Sequence, residues 1–152
     1  MTETQTSDTL TISRTYNATA ERVFSAWTDP ESLKSWFGPE GVETIGADVD
    51  LSVGGRYDLH MRTPEGSEIH HFGTYREIDP FRRLVFTWVL DGQACGGSKD
   101  VFVETLVAID LEASEDAVEL TLTHSGFPNQ ASCDGHRFGW DLSLQSLDRF
   151  VE

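Results

Sequence analysis

The sequence predicts an α+β domain, an antiparallel sheet with its helices on one side. Three observations carry that reading. Alternation of apolar and polar residues recurs in short units from Thr9 to His124. Helical periodicity interrupts it once, between Ala20 and Phe37. A single long helical stripe then closes the chain. Helices gathered on one side of an antiparallel sheet make a two-layer domain.

Each element has a local cause. Leu10, Ile12, Arg14 and Tyr16 alternate with Thr9, Thr11, Ser13 and Thr15, the period-two, β-branched pattern of a strand. Ala20, Val23, Phe24 and Trp27 fall at i, i+3, i+4 and i+7, one face of a helix. Asp29-Pro30 restarts the chain as N-cap and first helical residue. The second short helix carries Leu33, Trp36 and Phe37, and Gly38-Pro39 stops it. Val42–Leu51 is a strand before a Gly54-Gly55 turn. In Arg56–Arg62, Tyr57, Leu59 and Met61 alternate with charged residues and must face the interior. A Thr63–Gly66 turn leads to a strand over Glu68–Ile78, ended by Asp79-Pro80. Arg83–Leu90 is a strand, Asp91–Lys99 a glycine-rich loop, and Val101–Leu111 and Ala117–His124 complete a meander. The last helix spans about Gln130 to Val151, capped by Asn129 or Ser132. Its stripe is Trp140, Leu144, Leu147 and Val151. Gly135 and Gly139 lie on one face of it, each at a helix-propensity cost of about 1 kcal/mol. That repetition predicts the close approach of a strand, a helix or a ligand.

The 152 residues fit one domain over 9–152, with 1–8 frayed. The 11 Lys and Arg against 26 Asp and Glu give a net charge of −15. Nucleic-acid binding needs a cationic footprint, and docking on anionic lipid needs basic clusters. Both partner classes are therefore excluded. Only Lys34 and Lys99 are lysines; an arginine-rich acidic surface suits a salt-adapted protein or simple solubility. No apolar run reaches membrane-spanning length, and Met1–Asp8 lacks the pattern of a signal peptide. Cys95 and Cys133 sit in no metal-binding or redox spacing, so free thiols and a cytoplasmic location are expected.

Three segments, in this order, resemble one family. They are Glu21–Pro30 followed by Trp36-Phe37-Gly38-Pro39; Gly54-Gly55-Arg56-Tyr57 with Gly73, Glu77, Asp79-Pro80 and Arg83–Trp88; and Leu120–Pro128 with Gly139-Trp140. Together they are similar to the activator of heat-shock protein 90 ATPase homologue-like family, within the START / Bet v 1-like (SRPBCC) superfamily. The resemblance runs from about Leu10 to the C-terminus. It implies a helix-grip fold: a curved antiparallel sheet of six to seven strands around the C-terminal helix, with a hydrophobic cavity between. Members of the superfamily bind lipids, sterols or plant metabolites, act as polyketide cyclases, or sequester antibiotics. The eponymous co-chaperone carries this domain behind a separate chaperone-binding domain, for which 152 residues leave no room.

The candidate pocket lining follows from strand faces and the helix stripe: Trp36, Tyr57, Leu59, Met61, His71, Tyr75, Glu77, Phe86, Trp88, Thr105, His124, Trp140 and Leu144. Trp36, before a Gly-Pro stop, is either core or pocket rim. Trp27, on the first helix stripe, is core. Thr105 could orient a ligand or bond backbone. His70 and His71 are consecutive in a strand, so they cannot jointly hold one metal. His71, Tyr75 and Glu77 share a face and, if it is interior, form the polar group of an apolar pocket. His60 lies on the charged face, and His124 shares a face with Leu120 and Leu122. No metal-binding, nucleotide-binding or nucleophile motif occurs, so neither metal nor cofactor is expected.

The leading expectation is a non-enzymatic protein that binds or sequesters a hydrophobic or aromatic small molecule, neutral or cationic, in an internal cavity. A cavity filled by side chains to under about 100 Å³ would count against it. The alternatives are a cyclase-, dehydratase- or hydrolase-type enzyme using Glu77, Tyr75, His71 or His124 for proton transfer, and a stress-related interaction module with an exposed apolar patch. Monomer and homodimer both remain open.

Overall fold

The computed structural model describes residues 9–38, 41–91, 102–127 and 130–151. The expectations for residues 1–8, for Cys95 and the glycine-rich loop beyond Asp91, and for Asn129 as a cap lie outside these.

The elements run β1 (Thr9–Tyr16), α1 (Ala20–Thr28), α2 (Pro30–Trp36), β2 (Glu43–Val49), β3 (Arg56–Arg62), β4 (Glu68–Asp79), β5 (Arg83–Asp91), β6 (Phe102–Ala113), β7 (Val118–Ser125) and α3 (Gln130–Val151). All seven strands form one antiparallel sheet in the order β1-β7-β6-β5-β4-β3-β2. The chain starts on one edge and crosses to the other through α1 and α2. It then returns strand by strand before laying α3 across the concave face. This is the helix-grip fold.

Caps explain the sharp entry into both short helices. The Thr19 hydroxyl accepts from the Arg22 N–H at 3.1 Å. The Asp29 carboxylate accepts from the Ser32 N–H at 3.0 Å, with Pro30 opening the helix. α3 begins at Gln130, so Ser132 sits inside its first turn rather than capping it.

Trp140, Leu144, Leu147 and Val151 of α3 are buried against the sheet and α1. Polar ties help to fix its position. The Tyr16 hydroxyl donates to the Leu144 carbonyl at 3.0 Å. The Arg22 guanidinium donates to the Phe150 and Val151 carbonyls, both at 2.9 Å, satisfying C-terminal oxygens that have no partner within the helix. Gly135 and Gly139 depart from expectation: a β-carbon on either would meet nothing within 4 Å. No described residue packs closely on them, and Gly135 is exposed.

The close approach falls at Gly73 instead. β4 pairs with β3 through residues 68–74 and with β5 from Tyr75 onward. At this handover the Thr87 carbonyl lies over Gly73 and accepts from the Tyr57 hydroxyl, while the Thr87 hydroxyl accepts from the Thr74 N–H at 2.9 Å. A β-carbon at position 73 would run into that carbonyl. Only glycine lets the sheet bend this tightly.

Candidate functional site

Between the sheet and the helices lies a cluster of aromatic rings centred on Trp27. Its ring centroid stands 4.9 Å from Trp36, 6.0 Å from Trp140, and 6.3 Å from both Phe37 and Phe86. Trp88 lies 5.1 Å from Trp140. Tyr57 stands 5.6 Å from Tyr75 and edge-on to Phe86 at 5.4 Å. Such offset and edge-on pairs add to the burial of the rings themselves.

These rings leave a cavity of about 20 Å³ lined by Trp27, Leu33, Phe37, Tyr57, Leu59, Tyr75, Phe86 and Trp88. That is room for about one water molecule, far below the ~300 Å³ at which ligand pockets begin. Aromatic side chains thus fill the space among these described residues, while a more polar, open cavity of about 500 Å³ lies between α2, β2 and α3, bordered by Trp36, Thr44 and Leu142. Two residues lining the aromatic cavity carry an unmatched polar atom: the indole N–H groups of Trp27 and Trp88 are buried and reach no acceptor among the described residues. By contrast, the Trp36 indole donates to the Ala26 carbonyl at 2.8 Å and the Trp140 indole to His124 at 3.0 Å.

Five of the expected lining residues border this cavity: Tyr57, Leu59, Tyr75, Phe86 and Trp88. Trp36 does not. It is buried between the two short helices, its N–H spent on α1. Met61 and Leu144 are core residues away from the cavity. Sequence reasoning passed over Trp27, Leu33 and Phe37 as lining. The signal available for Phe37 was its neighbour Trp36: the pair straddles a helix end, and the second residue turns inward.

Glu77 requires a correction. It is exposed, and its carboxylate accepts from Arg83 at 3.2 Å, beside the Arg83–Asp110 pair. The cause is a β-bulge between Tyr75 and Glu77. One extra residue reverses the faces, so Ile78 turns inward and Glu77 outward. The carboxylate on which the proton-transfer alternative chiefly relied is therefore on the outside.

His124, Thr105 and Trp140 form a closed relay. Trp140 donates to Nδ1 of His124, which leaves the proton on Nε2. Nε2 lies 2.7 Å from the Thr105 hydroxyl, and that hydroxyl donates to the Trp88 carbonyl at 2.6 Å. Burial, with His136 and His71 nearby, pushes the His124 pKa down to about 2. The imidazole is neutral and fully bonded. Burial also raises the phenols of Tyr57 and Tyr75 well above their ordinary value, with Tyr75 and Asp50 respectively adding to the effect. No interior group among these is poised to exchange a proton near neutrality.

The relay has aromatic neighbours at one end of the sheet. His71, half-buried, stacks on Trp88 at 4.4 Å and 19°. His136 of α3, absent from the sequence-based candidates, sits 5.3 Å from the His124 ring and 5.0 Å from Phe127. Its place one helical turn before Trp140 put it on the inward face and could have revealed it. Among the described residues no group of three or more His, Cys, Asp or Glu is arranged to hold a metal ion. No described helix is long and apolar enough to cross a membrane.

A curved sheet gripping a C-terminal helix over an aromatic interior defines a START / Bet v 1-like domain, a fold of ligand-binding type. Residues 17–152 match the family model of Activator of Hsp90 ATPase homolog 1-like protein, and the chain belongs to that family. No curated protein matches the sequence. Among solved structures it is similar to a Chromobacterium violaceum protein, with 26% identity over 95% of this chain and 97% of that one and a TM-score of 0.81. The AHSA1 protein of Silicibacter pomeroyi shares 24% identity over 93% and 95% of the two chains, with a TM-score of 0.79. A protein of Arthrobacter aurescens reaches a TM-score of 0.82 at 20% identity, over 99% of this chain and 89% of that one. The last two likenesses concern the fold alone.

Proposed function

We propose that this protein binds a small apolar or aromatic molecule carrying a hydrogen-bond acceptor, as a carrier or sequestering protein, between the sheet and α3. The observation that carries this reading is the pair of unmatched indole N–H groups, Trp27 and Trp88, on one apolar cavity. A buried donor without a partner costs about 1–3 kcal/mol, and native interiors rarely leave one. Two such donors on residues that line one cavity favour a ligand that brings an oxygen. One water fits the present volume. A larger ligand must displace aromatic rings, so the proposed site forms around its ligand rather than waiting open. The net charge of −15 disfavours the approach of anions and favours a neutral or cationic ligand.

Native mass spectrometry of protein purified from its own source tests for a retained small molecule. Titration of tryptophan fluorescence with acetophenone and with ethylbenzene isolates the acceptor. The ketone is expected to bind saturably and about tenfold more tightly than the hydrocarbon, the worth of roughly one hydrogen bond. Trp88→Phe should remove that preference. If nothing is retained and neither probe binds, a bound water satisfies the indoles and the reading falls.

A further inference from the structure

On the opposite, outer face of the sheet, β3 and β4 set His60 directly across from His70. The rings stack at 4.2 Å and 17°. Each is held by a carboxylate on the other strand: His60 Nε2 lies 2.7 Å from Glu68 Oε1, and His70 Nδ1 lies 3.0 Å from Asp58 Oδ1.

We propose that His60 and His70 form an open, two-imidazole site for a divalent transition-metal ion of the Zn²⁺ or Cu²⁺ class. The carboxylates make the case. A carboxylate accepts only, so each imidazole gives it an N–H. The tautomers are thereby fixed, leaving one lone pair on Nδ1 of His60 and one on Nε2 of His70. Metal-bound histidines characteristically donate their other ring N–H to a carboxylate, which orients the ring and raises its basicity. Here two such histidine–carboxylate pairs stand face to face.

The surroundings favour a cation. Gly46 lies opposite His60, so β2 presents no side chain at that position. Asp48 pairs with Asp58, and Glu43 and Glu68 flank Arg62 in the next row. Four carboxylates thus border the pair against one guanidinium in those rows. Imidazole nitrogens suit zinc, copper and nickel. Because the rings are nearly parallel, one must tilt to bring both lone pairs onto one ion. Both histidines are partly exposed, which leaves room to do so. With two protein ligands the ion keeps water in its other positions, unlike a closed structural zinc centre.

The site was not visible in the sequence, where His60 and His70 are ten residues apart and only the strand register brings them together. The test uses the full chain without an affinity tag. Zn²⁺ and Cu²⁺ are titrated in competition with a chromophoric chelator at pH 7, while the imidazole signals of His60 and His70 are followed by NMR with Zn²⁺. One ion per chain is expected, with Cu²⁺ bound more tightly than Zn²⁺. His60→Ala and His70→Ala should each weaken binding at least about tenfold, and Asp58→Asn with Glu68→Gln by about tenfold through lost orientation. Circular dichroism should show these variants folded. If the wild type takes up no metal, or the His60→Ala/His70→Ala double variant binds as tightly as the wild type, the proposal is overturned.

Discussion

The indole N–H of Trp140 donates to Nδ1 of His124 across 3.0 Å, a buried bond that adds to the ties between α3 and the sheet. The relay continues from His124 on β7 to Thr105 on β6 and ends on the Trp88 carbonyl of β5. A single neutral imidazole thus joins four elements. A protonated one would have two N–H groups and no acceptor for Trp140.

Acid should therefore destabilise the protein through His124. Its folded pKa of about 2 lies below its ordinary value of 6.5. Between those values the unfolded chain binds a proton that the folded chain does not, so stability falls as pH falls below 6.5. The slope approaches about 1.4 kcal/mol per pH unit. Urea unfolding at pH 8 and pH 5 should reveal about 2 kcal/mol of loss from this residue. His124→Gln retains a donor and an acceptor but does not titrate. Its stability–pH curve should be flatter by that amount, and parallel curves for the two proteins would refute the assignment.

All three tyrosines of the chain are buried, and burial raises each phenol: Tyr16, Tyr57 and Tyr75. A raised folded pKa means stability that is intact below pH 10 and lost as pH climbs above it. There the unfolded chain releases protons that the folded chain retains. Absorbance at the tyrosinate band should stay flat through pH 10, then rise in one step coincident with loss of circular dichroism. A gradual titration of one or more tyrosines in a folded protein would contradict the burial.

Glu77→Gln should shift stability by no more than about 0.5 kcal/mol, since its bridge to Arg83 is exposed and surface ion pairs contribute little. It should leave binding of a neutral aromatic probe unchanged. Ile78→Ala, one residue on and packed against the core, should cost more than about 1 kcal/mol. Urea midpoints of the two variants check the reversal of faces at the bulge.

Much of the fold was legible because its signals are local. Alternation placed Tyr57, Leu59 and Met61 inward, Asp29-Pro30 announced α2, and the stripe from Trp140 to Val151 gave α3 its buried face. The site was less legible because its determinants are not local. The bulge after Tyr75 depends on how β4 meets β5, so period two misplaced Glu77. Tilted and edge-on rings crowd the space between Trp27 and Tyr75, and no spacing rule records how rings stack. Which tryptophans lack an acceptor depends on the strand and helix that each one faces.

Glycines give the sharpest contrast between apparent and real crowding. Gly73 lies where the Thr87 carbonyl crosses β4 to accept from Tyr57. A methyl group there must push back β5, break that buried hydrogen bond and open the bend between the two halves of the sheet. Gly73→Ala should therefore cost at least about 3 kcal/mol, the sum of overpacking and an orphaned hydroxyl. Gly135 is the opposite case. It lies in α3, exposed, where a β-carbon would meet no described atom within 4 Å. There Ala gains helix propensity without a clash, so Gly135→Ala should stabilise by about 0.5–1 kcal/mol. Urea denaturation of both variants beside the wild type reads the signs directly. Were Gly135→Ala destabilising, something must press on that face of α3, and the close approach of a strand, helix or ligand expected from the paired glycines would have to be restored.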